Sequence, residues 1–186
     1  MQTFIALLRA VNVGGTGKIA MADLRALLKD LGYRNVETYI QSGNAVFDAN
    51  GKAEKIARDL ASSLEKHMGA SVGVIIRTHD DLRMVIAENP FSAEAAADGA
   101  RVHACFLAGP APASAKAALD SVVAKYPARR DRFHLTGHTL YLHLPEGAAE
   151  TKFSGKPLDR ALGVIATARN WNTVLKLHAM SSSEKS

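Results

Sequence analysis

Val36-Glu37-Thr38-Tyr39-Ile40-Gln41-Ser42-Gly43-Asn44-Ala45-Val46-Phe47-Asp48 is the stretch on which the fold turns. Two β-prone runs, Val36 to Gln41 and Asn44 to Asp48, flank Ser42-Gly43, which predicts a hairpin closed by a tight turn. Upstream, Met21, Leu24, Leu27, Leu28 and Leu31 recur at helical spacing, and Gly32 stands where a C-terminal cap glycine belongs. Before them, Thr3 to Ala10 is a short apolar run that reads as a buried strand. Downstream, Ile56, Leu60, Leu64 and Met68 mark a second helix closed by Gly69, and Val72 to Arg77 is a β-branched strand. Residues 1–78 therefore read β-α-β-β-α-β, the ferredoxin-like split unit.

The remainder repeats that plan without a visible sequence repeat. Thr78-His79-Asp80-Asp81 has the form of a capping box before a helix carrying Leu82, Val85 and Ile86, and Asn89-Pro90-Phe91 ends it. Ser92 to Ala100 is an alanine-rich connector, expected to be a loop. Val102 to Leu107 predicts a strand, and Leu119, Val122, Val123 and Tyr126 a helix. Arg132 to Thr136 and Thr139 to Leu144 form a hairpin around Gly137-His138, and Leu158 and Leu162 mark a short helix ended by Gly163. Thr167 is placed to cap a last helix bearing Trp171, Val174 and Leu175. The expected architecture is α+β: two ferredoxin-like subdomains in tandem, with antiparallel or mixed sheets and helices on one face. The boundaries fall at 1–78 and 79–180, the second packed as one compact unit, with 181–186 a disordered polar tail.

The 186 residues are 47% hydrophobic and 22% charged, near the averages of globular proteins, so wholesale disorder is excluded. The net charge of +5 suits an anionic ligand but does not demand nucleic acid. One cysteine gives neither an internal disulfide nor a cysteine-rich zinc site, and the composition is that of a reducing compartment. The opening residues lack a basic n-region, no apolar run nears the ~18–20 residues of a span, and a cytoplasmic setting is expected.

The chemistry concentrates at one predicted rim. Asn12-Val13-Gly14-Gly15-Thr16-Gly17-Lys18 joins a strand to a helix, and its glycines free backbone N–H groups to form an anion-binding nest. It is not a P-loop: that pattern needs glycine at position 12 and a hydroxyl at 19, where the chain has Asn12 and Ile19. In a β-α-β-β-α-β unit the loop after the first strand and the turn between the second and third emerge at the same sheet edge. Arg9, Asn12, Gly14, Gly15, Lys18, Gln41, Ser42 and Asn44 are thus expected to converge there, with donors suited to phosphate, carboxylate or a nucleobase edge. The plainer reading is that Asn12, Ser42 and Asn44 only satisfy turn backbone, which leaves Arg9 and Lys18 unexplained.

Elsewhere the chemical signals are weaker. Thr167-Ala168-Arg169-Asn170-Trp171-Asn172-Thr173 puts Arg169 and Asn172 at a predicted helix start, where they would join the site if that helix packs on the first lobe. Trp171 continues an apolar stripe and reads as core rather than a stacking platform. In the second hairpin His134, Tyr141 and His143 share a polar face expected to meet solvent or another subunit, with too few ligands to hold a metal. Cys105 lies mid-strand, where cysteine is usually buried and inert; His103, on the same strand face, is the sole hint of activation. No catalytic residue and no cofactor is assigned.

Leu8-Arg9-Ala10-Val11-Asn12-Val13-Gly14-Gly15, Thr38-Tyr39-Ile40-Gln41-Ser42-Gly43-Asn44 and Thr167 to Thr173, with Asn89-Pro90-Phe91 between them, resemble domain-of-unknown-function family 1697, small bacterial proteins. The resemblance runs from Thr3 to about Leu177, with Ala10 standing where the family's glycine is expected. It implies two ferredoxin-like subdomains and brings no activity, substrate or cofactor.

Three function classes follow. The first is binding of, or action on, a small anionic, phosphate-bearing ligand at the rim. The second is a nucleic-acid-binding module, favoured by basicity and topology, disfavoured because Asn44-Ala45-Val46-Phe47-Asp48 has one aromatic and an acid where RNA-recognition domains carry basic, aromatic-studded strands. The third is a structural or oligomeric partner using the His134, Tyr141 and His143 face; no membrane association is expected, and the oligomeric state is open.

Overall fold

The protein is described here by a computed structural model covering residues 1–12, 17–149 and 151–182. The chain divides into two units, Met1–Met84 with Lys176–Ser186, and Val85–Leu175. Each contains a four-stranded antiparallel sheet, so the class is α+β.

In the first unit β1 (Gln2–Leu8), α1 (Met21–Asp30), β2 (Arg34–Tyr39), β3 (Asn44–Ala49), α2 (Ala53–Met68) and β4 (Val74–Thr78) follow in order, with the sheet arranged β2-β3-β1-β4. Phe4, Ala6 and Leu8 of β1 and Ala45, Phe47 and Ala49 of β3 share one face. They form a core with Leu24 and Leu28 of α1 and Ile56, Leu60 and Leu64 of α2. Each fully buried large side chain contributes about 1.5–3 kcal/mol. Ile5, Leu7 and Val46, on the other face, are also buried, which is why β1 reads as an unbroken apolar run rather than an alternating one. Gly32 (φ 82°) and Gly69 (φ 67°) end the two helices in the left-handed conformation their positions predict.

The first hairpin differs from expectation. β2 stops at Tyr39, which pairs with Asn44, so the connection is the four-residue loop Ile40–Gly43 rather than a two-residue turn. The Asn44 side chain closes it by donating to the Tyr39 carbonyl and to Ser42 Oγ, both at 3.0 Å.

The predicted capping box forms at α3 (His79–Ala87): the Thr78 amide donates to Asp81 Oδ2 at 2.7 Å, and the Asp81 amide to Thr78 Oγ1 at 3.1 Å. The stretch expected to be a loop contains α4 (Ser92–Ala97), a short helix consistent with the high helix propensity of its four alanines and with Ala95 buried against the unit.

The second sheet uses β5 (Val102–Leu107), β6 (Arg132–Leu135), β7 (Thr139–His143) and β8 (Ala166–Asn170) in the order β6-β7-β5-β8. Cys105, Leu140 and Leu142 pack with Leu119 of α5 (Ala115–Lys125) and Leu158 and Leu162 of α6 (Gly155–Leu162). The hairpin register is the predicted one, Arg132 opposite His143 and His134 opposite Tyr141. Its polar face is not a free surface, however: Tyr141 is fully buried and its hydroxyl donates to the Val85 carbonyl at 3.0 Å, while His134 on the edge strand is exposed.

A further correction concerns the last helix. Residues 166–170 are strand β8, and α7 (Trp171–Met180) starts only after them, capped by Asn170, whose Oδ1 accepts from the Thr173 amide at 2.9 Å. Thr167 is therefore a strand residue; Ala166, Thr167 and Ala168 pair with Leu107, Phe106 and Cys105, and that ladder outweighs a local cap signal. Trp171 is buried, as its stripe predicts, and Leu175 is exposed. Of the expected tail, Ser181 is buried and 183–186 lie outside the described residues.

The two units echo each other at residue level. Each runs strand, helix, strand, strand, helix, strand, then directly into another helix. Arg77 and Arg169 are the penultimate residues of β4 and β8, and each donates through Nη1 to the preceding carbonyl, Ile76 at 2.9 Å and Ala168 at 2.8 Å. Thr78 and Asn170 then cap the helix that follows.

Candidate functional site

The site is built at the end of β1. The Leu8 amide donates to the Gly43 carbonyl at 2.8 Å, and the Arg9 amide to the Gly73 carbonyl at 2.8 Å. Beyond Arg9 the chain takes two left-handed residues, Ala10 (φ 53°) and Asn12 (φ 57°). Asn12 is the junction of the rim. Its Nδ2 donates to the Ile19 carbonyl at 2.9 Å and to the Gln41 carbonyl at 2.8 Å, and its Oδ1 accepts from the Ile19 amide at 3.0 Å. One side chain thereby ties the β1–α1 loop into a ring and fastens it to the β2–β3 loop, 29 positions away.

The β1–α1 and β2–β3 loops are thus joined at one sheet edge through Asn12 and Gln41. Gly43 is required for this junction: a Cβ there would fall onto Val11 Cγ2 and within 2.7 Å of Leu8 Cβ, and its φ is 78°. Gly17 packs the other side of the loop, where a Cβ would lie 2.6 Å from Met68 Cε.

Lys18 and Gln41 are exposed, Arg9 and Ser42 are half-buried, and Asn44 is fully buried. Asn12 and Asn44 commit their amides to backbone and to Ser42, so they hold the loops, as the plainer reading of those two residues proposes. Of the described rim residues, Arg9, Lys18, Gln41 and Ser42 are the predicted site residues that keep partial or full exposure. Gly14 and Gly15 lie outside the described residues.

Sequence patterns gave no sign of Ile40. It is exposed at the tip of the β2–β3 loop with φ 47°, a conformation that β-branched side chains resist. With Ala10 and Asn12 it makes three non-glycine residues held left-handed at one rim, a concentration of strain typical of functional loops. Position 10 was legible only through the resemblance, which expects glycine there; the left-handed backbone is the physical reason for that glycine.

Arg169 and Asn172 belong to the second unit. Arg169 is in β8, buried, with Nη1 donating to Thr167 Oγ1 and the Ala168 carbonyl, both at 2.8 Å. Burial pulls its guanidinium down to about 10. Asn172 is exposed in the first turn of α7, its side chain lying against Gly99.

Burial pushes the Cys105 thiol up to about 12 and His103 down to about 4. A thiol so raised and an imidazole so lowered are opposite to what a thiolate nucleophile needs, and the inert reading of Cys105 holds. Arg132 pairs with Glu94, contacts His143 Nδ1 at 3.0 Å and lies over the Phe91 ring at 5.1 Å. Among the described residues no helix is long and apolar enough to cross a membrane.

Residues 1–141 match the model of a protein family described as a protein of unknown function, DUF1697. The matched stretch takes in both rim loops and Asn89-Pro90-Phe91, and ends before Thr167. Among solved structures, the conserved bacterial protein SP0830 from Streptococcus pneumoniae is similar at 23% identity, over 97% of this chain and 98% of that one, with a TM-score of 0.70. That likeness is one of fold. None of the curated proteins matches.

Proposed function

The chain belongs to the DUF1697 family of proteins of unknown function, and from the geometry of its rim we propose that it binds, or acts on, a small anionic, phosphate-bearing ligand between the β1–α1 and β2–β3 loops. The observation that carries this is the Asn12 Nδ2 to Gln41 carbonyl bond, which sets the loop bearing Arg9 and Lys18 against Gln41 and Ser42. Arg9 and Lys18 supply charge, and Gln41 and Ser42 orient the ligand. Asn12 and Asn44 shape the rim without touching the guest. The strained backbone at Ala10, Asn12 and Ile40 supports the reading, since such strain persists where pre-organisation is useful.

We read each strand order, β2-β3-β1-β4 and β6-β7-β5-β8, as a ferredoxin-like split unit, two in tandem, in a cytoplasmic protein. The nucleic-acid alternative has less support. RNA-recognition sheets stack bases on an open face, whereas Ile5, Leu7 and Val46 are buried, and Phe47 is buried in the helix-covered core, its ring centroid 4.8 Å from that of Tyr33.

The test is a thermal-shift screen with inorganic phosphate, pyrophosphate and a panel of nucleotides and sugar phosphates on the wild type and Arg9→Ala. The expected result is stabilisation by at least one phosphate compound in the wild type and none in Arg9→Ala, with unchanged far-UV circular dichroism. Equal stabilisation of both proteins, or of neither, contradicts the proposal.

A further inference from the structure

Within the first unit, the end of α7 meets the start of α3 through two imidazoles. The His79 and His178 rings stack with centroids 4.1 Å apart and planes 20° from parallel. Ser181, buried although it follows the helix, completes the contact. Its hydroxyl donates to the His178 carbonyl at 2.9 Å and lies 3.1 Å from His79 Nδ1. Because that hydroxyl proton is committed, Oγ accepts from His79 Nδ1–H, and Nε2 is the basic nitrogen of His79. The Ser181 amide in turn donates to the Leu177 carbonyl at 3.0 Å. Rings so nearly parallel cannot aim two lone pairs at one metal ion, and among the described residues no group of three or more metal-ligating side chains occurs.

The stack suits two neutral rings, or one charge over a neutral partner, but not two charges. His178 Nε2 is buried and has no hydrogen-bond partner among the described residues. An imidazolium donates through both nitrogens, so charging His178 puts an N–H there with no acceptor. The groups that face it are cationic when charged: His79, and Arg83 one turn further along α3. The acids of α3 are engaged elsewhere, Asp80 with Arg83 Nε at 3.1 Å and Asp81 with the Thr78 amide. On α7 itself Lys176 is exposed. Past the helix, Met180 and Ser182 line a cavity that carries one charge of each sign, the Asp48 carboxylate and the Met1 amino terminus. Burial first, then His79 and Arg83, hold the His178 imidazole below its ordinary 6.5. The docked end of α7 therefore binds protons less readily than a released one, and its stability, present above pH 6.5, is lost as pH falls through the lowered value. We infer that the His79–His178–Ser181 contact is an acid-sensitive clasp, which holds the end of α7 on α3 near neutral pH and releases residues 178–182 below about pH 6. The clasp is independent of the rim and stands or falls without it.

The test is amide hydrogen exchange of the 15N-labelled full chain at about pH 7.5 and about pH 5, each amide referred to its own intrinsic rate. The Ser181 amide is expected to lose about tenfold in protection on acidification, and at most about thirtyfold, the ceiling for one ordinary histidine over that interval. Ile5 in β1 changes by less than about twofold, because the release is local. His178→Phe keeps a stacked ring that cannot charge, and Ser181 then holds its neutral-pH protection in acid. Arg83→Glu leaves both rings and reverses the facing charge, so the acid loss shrinks to about threefold or less; it decides the matter if His178→Phe does not fold. An unchanged Ser181 amide in the wild type, an equal loss at Ile5, or the wild-type acid loss in either variant overturns the proposal.

Discussion

Replacing Asn12 by alanine tests the joint that makes the rim. Three side-chain hydrogen bonds are lost, two to carbonyl oxygens and one from the Ile19 amide. A typical intramolecular bond contributes about 0.5–1.5 kcal/mol net. The Gln41 end is exposed, so water replaces that bond at the low end of the range, while the two Ile19 bonds are partly buried and cost more. Together they come to about 2 kcal/mol. Position 12 also has φ 57°, where alanine is disfavoured relative to asparagine by a further increment of about 0.5–1 kcal/mol. The expected loss is about 3 kcal/mol, which for a chain of this size lowers Tm by roughly 6–12 °C. Asn12→Gly separates the two terms: it loses the same bonds but relieves the backbone, and should be about 1 kcal/mol less damaging. Equilibrium urea unfolding of both variants measures this. An Asn12→Ala loss below about 0.5 kcal/mol, or an Asn12→Gly no milder than Asn12→Ala, would falsify the assignment of Asn12 as the junction.

Ala10→Gly should stabilise the protein by about 0.5–1 kcal/mol, because relief of the left-handed alanine exceeds the added chain entropy; calorimetry reads it as a higher Tm. Gly43→Ala should cost about 3 kcal/mol or more, since its Cβ meets Leu8 and Val11 with φ at 78°; a wild-type urea midpoint would contradict the close approach. His103, held at about 4 in the folded state against an ordinary 6.5, stays neutral while the unfolded chain takes up a proton. Its stability contribution is therefore present above pH 6.5 and is lost as pH falls toward 4, by roughly 3 kcal/mol, and His103→Leu should flatten that slope in urea titrations across the window. The Cys105 thiol, buried and raised, should react with a disulfide reagent only at the rate of unfolding, and a fast phase in native buffer would contradict its burial.

The reach of sequence reasoning divides along physical lines. Helices with regular apolar spacing and a glycine at the end, such as Ile56 to Gly69, were fully legible because burial and capping act locally and in agreement. The second hairpin's register was legible for the same reason, its turn and its alternation giving one answer. The last helix was misplaced because Thr167, a plausible cap in isolation, is claimed by pairing with Phe106, a partner 61 positions away. The connector from Ser92 was read as loop because six helical residues give too little periodicity to register. At the rim, topology alone brought the two loops together. What no pattern showed was that Asn12 would be the fastener and Ile40 the strained tip, since both depend on backbone angles set by the completed sheet.

The central claim is that an anion sits between the two loops. Its most direct measurement is amide-shift mapping of the 15N-labelled protein with pyrophosphate, in the wild type and in Arg9→Ala/Lys18→Ala. The account predicts saturable shifts confined to residues near Arg9 to Lys18 and Gln41 to Asn44, absent from the double variant. Shifts scattered over the surface, or undiminished without both cations, would contradict it.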